Sequence, residues 1–506
     1  MILQSFLFPD EVCGEPEIYY RSETNHKMEY KNQMLIIDSG GQISSDTYMN
    51  LFDVEAWRTY TEVRKVRLCL QLCGSGTIGL WRRNETGEKC VQEQIYNSEE
   101  KVMKEFMFST EETGFYYFTI NVKARTVFQK AEYQTDGTVS KKEIFLSLVI
   151  CTYKRKKQLT ANIDKLSKSL FFDSTSKLYQ KMSVHIVDNA SEIQIPVQQN
   201  IAIYYERNLG GSGGFTRGIE EIQKMHPVFP TTNIILMDDD TEFQLETFYR
   251  IYAVLSLLKE EYRKEIIAGR MFRMDDRKIQ YTASEIWNGG HIIHMGENEN
   301  MCRKDVLVKV NRERGEYSGW WLTVLPYEYT INNLPFPYFL HCDDVEYGLR
   351  HGGVPLVWNG IQVWHEAPEY RNFPILAYYD MRNPLSVNCL HGIFREEGEI
   401  YRYWKERISA YHSRKEFFHE RMAIYGMRDF LKGAVWISRV DGEKNHRKLE
   451  RKKYGLRYVN ALSWRMVWLL YKKKIQKVLE EYRKLWKEKK DCCYVQAAKD
   501  IDKRFY

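Results

Sequence analysis

The feature that most constrains the fold is a short apolar run that ends in three consecutive acids. Residues 233–240 read Asn-Ile-Ile-Leu-Met-Asp-Asp-Asp. The run from Ile234 to Met237 predicts a buried strand, because it is short, continuous and apolar. Unpaired buried carboxylates are costly, so the acids are expected at the carboxyl end of this strand. Open α/β sheets bind their ligands at that edge.

Asp238 and Asp240 are the two acids that this pattern places on one side. Alternate residues of an extended backbone point the same way, so the two carboxylates are expected to lie together. Two carboxylates provide half of a site for a hard divalent cation. A charged turn after a strand is the structural alternative, and the triplet alone would favour it. The neighbouring motifs reverse that preference.

Bulk properties place the chain among large multidomain proteins. It has 506 residues, 43% hydrophobic, with a net charge of +6, enough for two to four domains. The start of the chain, residues 1–11, lacks the pattern of a secretory signal, and no apolar run reaches the length of a membrane-spanning helix. The 10 cysteines contain no C-x-x-C pair. We therefore expect a cytoplasmic protein with reduced thiols.

The first domain, residues 1–142, is expected to be a β-sandwich. Residues 66–72 alternate between apolar and polar types, and residues 115–122 are rich in aromatic and β-branched side chains. Gly74, Gly76, Gly79 and Gly114 are expected to separate short strands.

Residues 143–385 show a different pattern, in which strands alternate with helices. Apolar strands are expected near residues 145–150, 183–187 and 201–205, and each is followed by polar residues. This alternation predicts an α/β fold with a doubly wound, mostly parallel sheet. Polar endings on successive parallel strands indicate one ligand-binding edge.

Residues 208–218 form a glycine-rich stretch, Asn-Leu-Gly-Gly-Ser-Gly-Gly-Phe-Thr-Arg-Gly. Glycine lets the backbone approach a ligand closely, and the helix expected near residues 218–225 would present free N–H groups to a phosphate. The stretch matches neither the Walker loop nor the Rossmann fingerprint. A substrate-binding turn and a flexible turn remain equally supported.

A second acidic cluster follows an aromatic run. Asp343, Asp344 and Glu346 stand where a helix is expected to begin. Acids at this position commonly cap a helix, but three exceed what capping needs. One of them is therefore a candidate general base.

Three aromatic or imidazole side chains complete the candidate site. His365 follows a strand-like segment, and its neutral imidazole could complete a Mn²⁺ or Mg²⁺ site with the carboxylates. A structural role is the usual one for a single histidine. Trp320 and Trp321 follow a glycine; stacking on a sugar and packing in the core are equally supported.

The C-terminal region, residues 386–506, is expected to be helical and basic. Residues 445–490 contain sixteen Lys or Arg against four Glu. The apolar positions with helical spacing are Val459, Leu462, Val467, Leu470 and Tyr471, beside Trp464 and Trp468. This pattern favours peripheral contact with the anionic inner face of the cell membrane. The alternative is an ordinary amphipathic helix packed on the α/β domain of residues 143–385, with its lysines in water. Nucleic-acid binding is not expected, because no recognisable module accompanies the charge.

Taken in order, these motifs resemble those of family 2 glycosyltransferases with the GT-A fold, and more closely the galactofuranosyltransferases that polymerise mycobacterial galactan. The resemblance covers residues 145–385 and extends, more weakly, to residues 46–57. It implies an inverting transferase that moves galactofuranose from the UDP-sugar to a glycan or lipid-linked glycan acceptor, in the synthesis of a cell-surface polysaccharide.

The resemblance also implies roles for individual residues. Asp238, Asp240 and His365 would hold Mn²⁺ or Mg²⁺, and Asp344 would be the catalytic base. The acceptor would contact Trp320, Trp321 and Asp343. The donor would be held by Thr152, Arg155, Asp188, Asn189, Asn208, Gly211 and Asp239. The chain departs from the family at His341-Cys342, before the acid pair, where a tryptophan is expected.

Three other functions fit the same motifs. The fold could use another nucleotide sugar, such as a rhamnosyl or glucosyl donor. It could be a non-catalytic sugar-binding scaffold, although the retained acids and His365 argue against this. It could also be a metal phosphohydrolase, which would turn over the donor without an acceptor. The sequence leaves linkage, chain length and oligomeric state open, a homo-oligomer included.

Overall fold

The structure is a computed structural model that describes residues 1–84, 86–135, 141–168, 173–194, 200–370, 373–454 and 464–487. Its N-terminal region is rich in β-structure. The elements are β1 (Ile2–Ser5), β2 (Met28–Lys31), β3 (Met34–Ile37), β4 (Gln42–Ser44), β5 (Phe52–Asp53), α1 (Val54–Tyr60), β6 (Lys65–Asn84), β7 (Gly87–Ser109) and β8 (Phe115–Thr135).

The N-terminal strands form an antiparallel sheet built on three long strands. β6, β7 and β8 contain 20, 23 and 21 residues, and the order is β2-β3-β8-β6-β7, with β1, β4 and β5 also paired to β8. The prediction that glycines separate short strands is wrong for Gly74, Gly76 and Gly79. They lie inside β6, which changes register against its neighbours near Gly74 and Gly76. A side chain at Gly76 would overlap the backbone of Asn121 and the ring of Tyr96.

The middle of the chain alternates strands and helices. Its first elements are β9 (Leu146–Thr152), α2 (Lys156–Leu166), β10 (Met182–Asp188), β11 (Ile201–Tyr205), α3 (Gly210–Met225), β12 (Asn233–Asp238), α4 (Glu246–Leu257), β13 (Ile267–Arg273) and β14 (Ile279–Thr282). The later ones are β15 (Glu285–Asn288), β16 (His291–His294), β17 (Glu299–Asn300), α5 (Lys304–Val310), β18 (Thr323–Pro326), α6 (Tyr327–Thr330), α7 (Asp343–His351) and β19 (Leu356–His365).

The central sheet is parallel in one half and mixed in the other. Its order is β11-β10-β9-β12-β18-β13-β14-β17, with β19 paired to β13. β11, β10, β9 and β12 are parallel, as predicted. β18 runs antiparallel to both β12 and β13, so these two strands share one direction, and β19 runs parallel to β13. Parallel strands need crossover helices, and the chain beyond α4 has fewer helices between its strands.

Helices cover both faces of the parallel half. Val149 of β9 packs in one cluster with Phe215 and Ile219 of α3. Its neighbours Leu148 and Ile150 belong to another cluster that includes residues of α2 and α4. Successive side chains of a strand point to opposite faces, so this division follows from the alternation within β9. The second cluster continues into the N-terminal sheet, which therefore shares a core with the central sheet.

The C-terminal region is helical. It contains α8 (Leu376–Leu390), α9 (Glu397–Ser413), α10 (Phe417–Phe430), α11 (Ala434–Arg439), α12 (Gly442–Tyr454) and α13 (Trp464–Lys487). In the last helix, Trp468 and Tyr482 are buried, and their rings contact Tyr401 and Phe430. The inward face of α13 thus packs on the protein, as the packed-helix alternative expects, through the other C-terminal helices.

Some of the residues predicted to form the apolar face of the C-terminal region are not described by the structure. Val459 and Leu462 lie outside the described residues, and the side chains of Trp464, Val467 and Leu470 are not described. Among the helices that are described, none has both the length and the hydrophobicity needed to cross a membrane.

Candidate active site

The predicted cation ligands come from two strands that are not neighbours in the sheet. β12 ends at Asp238 and β19 ends at His365, and β18 and β13 lie between these strands. Glu242, just after β12, exchanges two backbone hydrogen bonds of 2.8 Å with Trp364. This bridge draws the loop after β12 across to β19 and brings His365 beside the aspartates.

Asp238, Asp240 and His365 converge on one point. Each offers a ligand atom, and these atoms lie within 4.8 Å of one another. The Nε2 atom of His365 is 3.0 Å from Oδ1 of Asp240 and 3.6 Å from Oδ2 of Asp238. The other ring nitrogen, Nδ1, lies 2.8 Å from the carbonyl oxygen of Glu366. A hydrogen bond from Nδ1 to that carbonyl leaves the Nε2 lone pair facing the carboxylates, as metal-binding histidines require.

The third aspartate of the triplet is turned inward and paired. Asp239 is buried; it accepts a hydrogen bond of 2.6 Å from Oγ1 of Thr152 and one of 2.8 Å from Arg155. Arg155 also lies 2.8 Å from Asp240. Burial raises the pKa of Asp239, although the bond from Thr152 and the charge of Arg155 act in the opposite direction. We call Asp238, Asp239 and Asp240, with Arg155 and His365, the strand-end cluster.

The glycine-rich stretch begins a helix and is not a free turn. α3 starts at Gly210, earlier than the position near residue 218 that the sequence predicts. Side chains at Gly214 and Gly218 would overlap Cys151 and Val149 of β9. These glycines therefore permit close packing of the helix on the strand, a role that sequence reasoning missed because it needs a partner from another element.

Asn208 and Gly211 lie where α3 begins. The side-chain oxygen of Asn208 accepts a 3.0 Å hydrogen bond from the N–H of Gly210, so this residue organises the start of the helix. The N–H of Gly211 donates to the carbonyl of Phe339 at 3.0 Å. Two N–H groups at the helix start are therefore already used within the protein.

Asp188 and Asn189 follow β10 at the same edge. Asp188 is buried, and its carboxylate accepts hydrogen bonds from the N–H groups of Ala190, Glu192 and Ile193. It thereby shapes the loop. The side-chain N–H of Asn189 donates a hydrogen bond of 3.1 Å to the carbonyl of Gly210. Its own side-chain oxygen is buried and has no hydrogen-bond partner among the residues that the structure describes. An acceptor left in this state is expected to have a ligand or water as partner.

Asp343 and Asp344, which we call the helix-start pair, open α7. Burial raises the pKa of Asp343 to about 6. It raises the pKa of Asp344 further, and the charges of Asp343 and Glu285 add to this effect. Among the described residues, no lysine or arginine forms an ion pair with either member. Glu346, by contrast, is buried against Arg350 and His391, which indicates a structural role.

The helix-start pair lies beside the start of α3. The side-chain oxygen of Ser212 accepts from the N–H of Phe339 at 3.3 Å. A side chain at Gly211 would lie 3.4 Å from Oδ2 of Asp343. The glycine helix therefore connects the edge that carries the strand-end cluster to the segment that carries the second pair of acids.

The two predicted acceptor tryptophans have different environments. Trp320 is buried against Phe215 and Tyr347, with ring centroids 5.1 and 6.0 Å apart, so it packs in the core. Trp321 is half-buried, and its indole N–H donates a hydrogen bond of 2.8 Å to the carbonyl of Gly269.

Sequence reasoning also missed Asp380 and Glu285. Asp380 accepts from the imidazole of His341 at 2.7 Å, and Glu285 is a buried carboxylate near Asp344. Neither stands in a local motif that would have indicated it. A separate cavity of about 970 Å³ is lined by residues such as Trp287, Phe394 and Tyr403, and none of the predicted site residues lines it.

The fold and the site define a class: an α/β protein with a carboxylate–imidazole cluster at the sheet edge that could hold a cation, and a second pair of carboxylates. Comparison with known proteins narrows this class. Residues 3–136 match the family described as Galactofuranosyltransferase 2 N-terminal. This match confirms the predicted resemblance to galactofuranosyltransferases.

Two curated relatives extend the resemblance along the chain. Galactofuranosyltransferase GlfT2 of Mycobacterium tuberculosis is 25% identical over 398 residues, which are 71% of this chain and 60% of the relative. GlfT2 of Mycolicibacterium smegmatis is 22% identical over 424 residues, 76% of this chain and 63% of the relative. The chain thus spans less than two thirds of each relative's length.

Solved structures show a more distant likeness. A mannosyltransferase from Pyrobaculum calidifontis, in complex with GDP-Man and Mn²⁺, is 11% identical. The match covers 72% of this chain and 89% of that protein, with a TM-score of 0.32.

Proposed function

We propose that the protein is an inverting, metal-dependent galactofuranosyltransferase. It would transfer galactofuranose from UDP-galactofuranose to a glycan or lipid-linked glycan acceptor in cell-surface polysaccharide synthesis. The resemblance to named galactofuranosyltransferases supports the donor sugar. The GT-A arrangement, the N-terminal β-sandwich and the division at residues 142 and 385 are parts of the same proposal.

The observation that carries the proposal is the convergence of Asp238, Asp240 and His365. Two carboxylates and one imidazole are a suitable ligand set for Mn²⁺ or Mg²⁺, and the buried ring of His365 is already oriented by Glu366. A bound divalent cation would neutralise charge on the donor's diphosphate as it leaves. The side-chain oxygen of Asn189, which is buried without a hydrogen-bond partner in the described part of the chain, supports a donor-binding edge beside this site.

The chain's own residues supply the remaining chemistry. An acceptor hydroxyl is a poor nucleophile until a carboxylate takes its proton in the transition state. Asp344 is assigned this role, with Asp343 and Trp321 toward the acceptor, whereas Trp320 packs behind them in the core. One displacement at the anomeric carbon inverts its configuration. Thr152, Arg155, Asp188, Asn189, Asn208, Gly211 and Asp239 are assigned to the donor side, directly or through the loops that they hold.

Mass spectrometry of the products tests this function. Purified protein is incubated with Mn²⁺, UDP-galactofuranose and short glycan or lipid-linked acceptors, and we expect acceptors lengthened by one or more hexose units. UDP-glucose and a nucleotide-linked rhamnose serve as competing donors. Preference for another sugar would replace the donor assignment, and release of UDP without an acceptor would indicate a phosphohydrolase. Binding of acceptor without turnover of any donor would favour the scaffold alternative.

Removal of the metal is a second test of the same function. We expect activity to fall to background after treatment with EDTA and to return on addition of Mn²⁺ or Mg²⁺, because the diphosphate then leaves with its charge neutralised. Full activity in protein shown by elemental analysis to be metal-free would contradict the assignment of Asp238, Asp240 and His365.

We also propose a location on the inner face of the cell membrane, with peripheral contact through the basic C-terminal region. The excess of lysine and arginine in residues 445–490 supports it, whereas the buried position of Trp468 favours the packed helix. Co-sedimentation with vesicles distinguishes the two. Binding that requires anionic lipid and weakens with salt supports membrane contact; protein that stays in the supernatant at low salt supports the packed helix.

A further inference from the structure

His341 and Asp380 form a pair beside the helix-start pair. Nδ1 of His341 lies 2.7 Å from Oδ1 of Asp380, and the imidazole side chain is 41% exposed. The backbone that presents it is unusual, because Phe339, His341 and Cys342 have φ angles of 75°, 61° and 66°. Left-handed conformations are costly for residues other than glycine, and they tend to cluster at functional sites.

The segment is held in this conformation from several directions. The side chain of Asn383 in α8 donates to the carbonyls of Leu340 and His341 at 2.7 and 2.9 Å. The guanidinium of Arg382 donates to the carbonyl of Tyr338 at 2.7 Å. The position of His341 is therefore fixed by α8, which also supplies Asp380.

The position of His341 matters because of the charges around the helix-start pair. The pair has no ion pair with lysine or arginine among the described residues, and burial raises both of its pKa values. The charge of His341 lowers the pKa of Asp343 and that of Asp344. Partial loss of solvent around the ring would by itself lower the pKa of His341, but the charge and hydrogen bond of Asp380 raise it overall.

We propose that His341, anchored by Asp380, is a positioning residue that keeps the helix-start pair in its carboxylate form. The inference rests on the proposed function of the site. In the transfer, the acceptor hydroxyl gives its proton to Asp344 as its oxygen bonds to the anomeric carbon and the bond to the diphosphate breaks. Asp344 can accept this proton only if it begins the reaction ionised, and the imidazolium favours that form.

Other titratable or charged groups near this set come from several elements. They are Cys342 in the same segment, Glu285 of β15, Tyr317 before β18, Tyr379 and Arg382 of α8, Tyr403, Arg407 and Tyr411 of α9, and His446 of α12.

The first experiment measures the electrostatic link without substrate. The full chain is labelled with ¹⁵N-histidine, and the His341 signal is assigned by its absence from H341N. We expect its pKa to lie above that of an ordinary histidine, to fall in D380N and to fall in D344N. An unchanged His341 pKa in D344N would overturn the proposal, because the two groups would then not interact.

The second experiment measures the pH profile of kcat/KM for transfer. His341→Asn removes the cation while keeping a side chain that can bond to Asp380. We expect the acidic limb of the profile to move to higher pH by about one unit, with a smaller change in the KM for the donor. His341→Lys restores a cation and is expected to return the limb toward its original position.

His412→Asn is the matched control, because His412 is also an exposed histidine paired with a carboxylate, Glu420 at 3.2 Å. It should leave the profile unchanged. An unshifted limb in H341N, or no rescue by lysine, would overturn the proposal. If the wild-type protein transfers no sugar, the proposed function fails, and the substrate-free titration of His341 in D344N still decides whether the electrostatic link exists.

Discussion

The strand-end cluster and the helix-start pair both contain adjacent aspartates, but the charges around them differ. Arg155 contacts two of the three acids in the strand-end cluster, and His365 contacts two. Within the described part of the chain, the helix-start pair has no such arginine, and its pKa values are raised. Carboxylates grouped with an imidazole at a sheet edge suit a cation site, whereas a carboxylate pair with raised pKa values suits proton transfer. The difference thus separates two roles that the sequence alone shows only as two acidic runs.

The largest expected effect comes from removing the base. Asp344→Asn keeps the size of the side chain but not its basicity, and we expect transfer to fall by about 10²–10⁴-fold. Binding of UDP, measured by calorimetry, should change little. Asp343→Asn is the matched control and should retain more activity. If Asp343→Asn abolishes transfer and Asp344→Asn does not, the base is the other member of the pair.

Asp240→Ala tests the strand-end cluster. It removes a proposed cation ligand and the partner of Arg155 and His365, and we expect turnover to fall by about 10²-fold, comparable to other losses at metal sites. Calorimetry should show weaker Mn²⁺ binding, while the melting temperature changes little because Asp240 lies at an accessible edge. Unchanged Mn²⁺ binding would remove the distinction between the clusters.

A smaller effect, on the free energy of unfolding, is expected from substitutions in α3, the helix that links the two clusters. Gly218→Ala would place a methyl group against Val149, and overpacking of this kind typically costs about 1–3 kcal/mol. Denaturant unfolding measures it. Gly211→Ala is the matched control, because its added carbon meets Asp343 only at 3.4 Å. Equal losses in both variants would mean that close packing on β9 does not set the glycine requirement.

The smallest expected effect is a dependence of stability on pH. The folded pKa of Asp343 lies above its unfolded value, so the folded state binds protons more readily, and stability falls as the pH rises through the interval from about 4 to about 6. Asp343→Asn removes this loss of stability at higher pH, because the amide does not ionise. We therefore expect the variant to be more stable than the wild type at pH 7.5 by on the order of 1 kcal/mol, and no more stable at pH 3.5. A variant less stable at neutral pH would show that the carboxylate is compensated after all.

The sequence by itself determined the local elements and the chemical types at the site. A short apolar run predicts the strand that ends at Asp238. The alternation of an extended backbone predicts that Asp238 and Asp240 point to the same side. The parallel strands β9 to β12 follow from the strand–helix alternation. These are short-range properties, so they can be read without knowing the rest of the fold.

The tertiary structure decided which of these residues meet. His365 lies 125 residues from Asp240, and the pairing of their strands through β18 and β13, with the bridge between Glu242 and Trp364, brings them together. In the sequence, the glycines of α3 are consistent with a flexible turn, but in the structure they pack against β9. The residue type of Trp320 would allow stacking on a sugar, but in the structure Phe215 covers its ring. Asp380 has no motif of its own. Contacts between distant elements depend on how their surfaces pack, and no local pattern encodes that packing.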